Sequence, residues 1–182
     1  MRFLTDNEAK NWCETRGLDF DDHLRIFYPL GGSHAFSIGI EEKATDTVLL
    51  SDYLVPSWED VPFEGALLWI RDYGIWGENS ENTGLAMIRQ MRSGNGERGS
   101  LKEKPAHLFA SSEVYEAHSY LLLPVLFGWD ALLVPETGDY FVSISHHGFA
   151  QVVCRNAGVC EALRNRLKDW SPTGGGESVQ PV

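Results

Sequence analysis

Residues 131–154 read ALLVPETGDYFVSISHHGFAQVVC, and their interpretation decides the fold. Ala131–Val134, Tyr140–His146 and Phe149–Cys154 are short runs rich in β-branched and aromatic residues. Turn-forming residues bound them, Pro135 to Asp139 on one side and His147-Gly148 on the other, so the stretch predicts a β-meander. With His147-Gly148 as a two-residue turn, Phe141 faces Cys154, Ser143 faces Val152 and His146 faces Phe149. Alternation then places Phe141, Ser143, Ser145, Ala150, Val152 and Cys154 on one face. Val142, Ile144, His146, Phe149, Gln151 and Val153 fall on the other. Neither set is purely polar, so both faces are expected to be covered at least in part.

Working outward, Asn156 caps a last helix with a stripe of Val159, Leu163, Leu167 and Trp170, ended by Ser171-Pro172. Residues 171–182 are too polar and glycine-rich to pack and read as a flexible tail. Upstream, Ser112 caps a helix to about Leu123, where Pro124 must kink or end it for want of an amide donor. Ser93 to Ser100 has the composition of a flexible connector, and before it Ser80 caps a helix carrying Leu85, Ile88 and Met91, weakened by Gly84. The apolar run Ala66–Ile70 fits either a buried strand or a short helix. Leu24–Tyr28, Ala35–Ile40 and Thr47–Leu50 predict an early meander. Thr5 and Glu8 form a capping box that starts an N-terminal helix, and Gly17 stops it. The whole predicts one α+β domain over residues 1–170, a mostly antiparallel sheet with N-terminal, central and C-terminal helices packed on it.

The chain of 182 residues carries a formal charge of −11, and the charge is uneven. Residues 1–81 hold six Lys and Arg against sixteen Asp and Glu, whereas residues 82–182 hold nine against ten. Such a field repels phosphate backbones and attracts cations, which argues against nucleic acid and for a basic protein partner. The basic cluster of Arg89, Arg92, Arg98, Lys102 and Lys104 is too small to reverse this. The longest apolar stretch, Tyr120 to Val134, is broken by Pro124, Gly128 and Asp130, so no membrane span is expected. The first residues lack signal and transit features, and a cytoplasmic location is the expectation.

Motifs whose spacing implies a mechanism, such as GxGxxG, the phosphate-binding loop, GxSxG, HExxH or an EF-hand, do not occur, so no cofactor is expected. Gly31-Gly32-Ser33 lacks the following helix and cation of a phosphate site and reads as a plain turn. Cys13, Cys154 and Cys160 are an odd number without CxxC spacing and read as buried reduced thiols. His146 and His147 invite a metal, with Asp139 or Glu136 in support, although neighbours on a strand point apart. Cys154 could act as a thiol nucleophile if a histidine lay beside it, but the hairpin register puts His146 on the opposite face.

Trp58, Trp69, Tyr73, Trp76 and Trp129 make the middle of the chain aromatic, as either core or recognition surface. The leading functional expectation is therefore a non-catalytic acidic binding module of immunity or inhibitor type. Its contact residues would be Trp58, Asp72, Tyr73, Trp76, Trp129 and His147. The alternative is a small hydrolase, metal-assisted through His146, His147 and Asp139, or dependent on Cys154.

Overall fold

A computed structural model describes residues 1–21, 25–29, 34–40, 44–55, 57, 62–72 and 83–167. Nine strands and five helices follow one another among them: β1 (Arg2–Leu4), α1 (Asp6–Glu14), β2 (Asp19–Phe20), β3 (Ile26–Phe27), β4 (His34–Gly39), α2 (Ala44–Leu54), β5 (Gly65–Asp72), α3 (Thr83–Gly94), β6 (Ala106–Ala110), α4 (Val114–Phe127), β7 (Asp130–Pro135), β8 (Tyr140–Ser145), β9 (Phe149–Cys154) and α5 (Ala157–Leu167). Seven strands form one sheet in the order β1-β6-β5-β7-β8-β9-β4, with every neighbouring pair antiparallel. A two-stranded ribbon, β2 and β3, stands apart. The fold is α+β, as the residue pattern predicts.

Both faces of the sheet are covered, and alternation along β5 shows how. Ala66, Leu68 and Ile70 join Leu50, Leu85, Ile88, Tyr120, Leu121 and Leu163 in a core beneath α2, α3, α4 and α5. Leu67 and Trp69 turn the other way, into a second core with Ala9 and Cys13 of α1 and Tyr28 beyond β3. Six successive residues of β5 are buried for that reason, and a run buried on both faces has no alternation to reveal it as a strand. None of the described helices is long and apolar enough to cross a membrane.

Several local readings need correction. Ser112 does not cap α4, whose N-cap is Glu113 without a side-chain bond, and β4 pairs with β9 rather than with β3, so the early meander does not form. Thr47–Leu50 is not a strand but part of α2, because Thr47, Leu50, Ser51 and Leu54 are all buried at helical spacing while Val48 and Leu49 face outward. The β8–β9 turn has three residues, with Gly148 in the left-handed region at φ +81° and its N–H donating to Ser145 O at 3.1 Å. Tyr140, not Phe141, therefore pairs with Cys154, and Ser145 pairs with Phe149. This slip of one residue exchanges the faces of β8, so that Tyr140, Val142 and Ile144 pack under the helices and Phe141 faces the second core. Finally, Pro124 does not end α4, which continues to Phe127 and closes on Gly128, left-handed at φ +61°. The N-terminal capping box forms as expected, with Thr5 and Glu8 bonded reciprocally.

Gly84 has a packing role. A Cβ there would lie 2.7 Å from both Phe127 Cδ2 and Trp129 Cζ2, two rings stacked with centroids 5.8 Å apart. Gly84→Ala is expected to lower stability by about 1–3 kcal/mol in urea unfolding, although alanine is the better helix former by about 1 kcal/mol. An unchanged or raised unfolding midpoint would mean that the rings yield.

The connector after α3 is organised rather than open. Arg92, 1% exposed, donates to Lys104 O at 2.8 Å, to Ser100 O at 3.3 Å and toward His107 Nε2 at 3.0 Å. Lys104 returns to Glu97 at 2.7 Å, so the loop wraps around one guanidinium.

Candidate functional site

Of the six residues expected at a binding surface, three can be placed. Trp58, Tyr73 and Trp76 lie outside the described residues. Trp129 is completely buried in the helix-side core, which removes it from any surface. Asp72 is exposed at the end of β5, paired with Asp130 past a bulge, and His147 is exposed on the β8–β9 turn. Asp130 links these two neighbourhoods. Its Oδ1 lies 2.9 Å from His146 Nδ1 and accepts the His146 N–H at 2.8 Å, and the His146 and His147 rings stand 4.0 Å apart.

Neither hydrolase arrangement weighed above comes together. Asp139 precedes β8 and His146 follows it, and a strand of that length separates them by roughly 20 Å. Among the described residues no group of three or more His, Cys, Asp and Glu converges on a point that could hold a metal ion. Cys154 sits directly across from His34 in the β4–β9 register, yet its thiol is fully buried and burial pushes its pKa up to about 12. A thiol so held is protonated at neutral pH and is no nucleophile. The described carboxylates of the N-terminal part also face two ways. Asp6, which accepts the Trp69 indole at 2.8 Å, Glu14 and Asp21 belong to the α1 and ribbon side, whereas Asp46 and Asp52 ride on α2 across the sheet.

A different constellation forms where α2 packs against α4. The last turn of α2 buries Leu54, Val55 follows, and the Ser57 N–H folds back onto Val55 O at 2.7 Å. That tight turn holds the Ser57 hydroxyl over α4, where His118 faces it from the second turn. Ser57 Oγ lies 3.0 Å from His118 Nε2. On the far side of the same ring, Asp52 Oδ1 from α2 lies 3.1 Å from Nδ1. One imidazole thus stands between a hydroxyl and a carboxylate, the order in which a serine nucleophile, its base and the group that orients the base are arranged.

The electrostatics suit that order. The His118 side chain is 20% exposed, and burial lowers its pKa below the ordinary imidazole value while Asp52 pulls the other way and only partly offsets the effect. The ring is neutral at pH 7. With its proton on Nδ1, facing Asp52, the Nε2 lone pair accepts the serine hydroxyl. Asp52 stands off the line of the N–H bond, so against the neutral ring it makes a close charge–dipole contact that becomes an ion pair only when the ring takes up a proton; its side chain is 58% exposed.

Sequence reading missed this site for a physical reason. The three residues come in the order Asp52, Ser57, His118, and no local spacing links the last to the first two. Treating Thr47–Leu50 as a strand also hid the helix that carries Asp52. The usable signal was the helical spacing of Thr47, Leu50, Ser51 and Leu54, which sets Asp52 beside a buried helical face. No family model matches the chain, and neither a curated protein nor a solved structure shows significant similarity to it.

Proposed function

We propose that Ser57, His118 and Asp52 form an acyl-transfer centre and that the protein is a small serine hydrolase acting on esters or similarly activated acyl groups. The observation that carries this reading is the single imidazole held 3.0 Å from a hydroxyl and 3.1 Å from a carboxylate. Ser57 Oγ attacks the substrate carbonyl carbon as His118 Nε2 takes the hydroxyl proton. Asp52 stabilises the imidazolium that forms. The same proton passes to the leaving group as the acyl–oxygen bond breaks, and water, deprotonated by His118, then frees the acyl group from Ser57. A carboxylate as exposed as Asp52 is screened by water, so slow turnover is expected.

The test is labelling with a fluorophosphonate, which reacts with activated serines, alongside hydrolysis of p-nitrophenyl acetate. Adduct is expected on Ser57 alone and lost in Ser57→Ala, and His118→Gln should slow both reactions by roughly 10²- to 10⁴-fold. The rate should be level through neutral pH and fall only in acid, since the base must lose its proton and holds it less tightly than a free imidazole. Label on another residue, or hydrolysis unchanged in Ser57→Ala, would remove the proposal.

A further inference from the structure

A cavity of about 340 Å³ lies between α5 and the turn that joins β7 to β8. That is within the roughly 300–1,000 Å³ of small-molecule sites. Val159, Ala162 and Leu163 of α5, Pro62 ahead of β5 and Pro135 at the end of β7 give it apolar walls. Its frame is fixed in advance by main-chain bonds. The Glu136 N–H donates to Gly65 O at 2.9 Å, the Gly138 N–H to Pro135 O at 2.9 Å and the Arg155 N–H to Asp139 O at 2.8 Å. The Tyr28 hydroxyl and Arg155 Nη2 both donate to Gly138 O at 2.9 Å, from the other side of the turn. None of Ser57, His118 and Asp52 lines this cavity, so it is separate from the acyl-transfer centre proposed above.

Two features of the lining point to a ligand. Tyr140, the first residue of β8, lines the cavity and is 7% exposed, and its hydroxyl is buried without a hydrogen-bond partner. Native folds rarely leave a buried hydroxyl so, because only a new bond offsets the water it has lost. Burial raises its pKa far above the ordinary 10, so it remains a hydroxyl with a proton to offer. The second feature is charge. Glu64, Glu136 and Asp139 line the cavity together with Arg166. Glu136 is bonded to Arg16, whereas neither Glu64 nor Asp139 enters an ion pair among the described residues. Three carboxylates against Arg16 and Arg166 leave the lining negative. Glu64 is exposed at the mouth, while Pro135, Tyr140 and Leu163 are buried further in.

We propose that this cavity binds a small organic ammonium ion with an apolar body. The body packs between α5 and the turn, and the cation stays at the mouth beside Glu64 and Asp139. An oxygen at the inner end of the ligand accepts the Tyr140 hydroxyl.

Titration of the wild-type chain with tyramine, followed by nuclear magnetic resonance, tests this. Saturable shifts are expected at the amides of residues 136–140 and 159–166. Phenethylamine lacks the phenol oxygen and should bind roughly 3- to 10-fold more weakly. In Tyr140→Phe, which keeps the ring, the two amines should bind alike. Hydroxyphenylpropionate, with a carboxylate in place of the ammonium, should bind at least about tenfold more weakly than tyramine. Ala162 is exposed on α5, so Ala162→Trp, checked for folding by circular dichroism, should fill the cavity and abolish binding. Shifts that are absent or scattered over other surfaces would overturn the proposal. So would a carboxylate that binds as well as the amine, unchanged binding in Ala162→Trp, or a preference for tyramine that survives Tyr140→Phe.

Discussion

Arg92→Ala is expected to cost about 3–5 kcal/mol of folding stability, a large share of what a domain of this size holds. The guanidinium is 1% exposed and serves three separate pieces of chain: α3, which carries it, the loop carbonyls of Ser100 and Lys104, and His107 of β6. Truncation takes the donor from two part-buried carbonyls, at up to about 1–3 kcal/mol each, and from the buried His107 ring. It also removes a cation standing 4.9 Å from the centre of the Phe3 ring. Arg92→Lys separates charge from geometry, since lysine keeps the charge but has no planar fork to reach several acceptors together. Urea unfolding should place the lysine variant much nearer to alanine than to wild type. A lysine variant within 1 kcal/mol of wild type would show that the charge suffices and the fork does not matter.

The second large effect is acid sensitivity from His107. Its side chain is wholly buried between the rings of Phe3 and Tyr120, centroids 5.5 Å and 4.9 Å away, with the Arg92 guanidinium 3.0 Å from Nε2. Burial first, and the positive charge of Arg92 second, lower its pKa to about 3. The native ring stays neutral where the unfolded one, with an ordinary value of 6.5, takes up a proton. A depressed histidine therefore contributes its full stability above pH 6.5 and loses it as pH falls from there toward 3, at about 1.4 kcal/mol per pH unit. His107→Gln cannot titrate and still offers Arg92 an oxygen. Between pH 7 and 4.5 the unfolding free energy of wild type should fall by about 2–3 kcal/mol more than that of the glutamine variant. Parallel profiles would mean that the ring is protonated, or reached by water, in the folded chain.

How much of this was legible in the residues depends on whether the governing interaction is local. The capping box of Thr5 and Glu8 and the Asn156 cap are complete within one helical turn, and they form as expected. The C-terminal meander was legible as strands, yet its register was not. A two-residue and a three-residue turn are both open to His146-His147-Gly148, and the burial of Tyr140 rather than Phe141 under the helices decides between them. β6 went unread because Ala106–Ala110 is a short run that acquires its meaning from β5 and β1 on either side. Trp129 was open to two readings for a related reason, since an indole in a sequence does not say whether Gly84 lies against it. The Ser57, His118 and Asp52 arrangement needs two helices to meet, so the chain had to be folded before it could be seen.

The strand order carries one more consequence. Both outermost strands, β1 and β4, come from the first 39 residues, while the five strands between them come from residues 65–154. During synthesis the two borders emerge first and have nothing to pair with until the interior of the sheet has been made. Once it has, the outer edges of the described sheet are theirs, three residues long at β1 and six at β4. The strands made before the interior are thus the ones that border it, and the longer border, β4, is where a further strand would add.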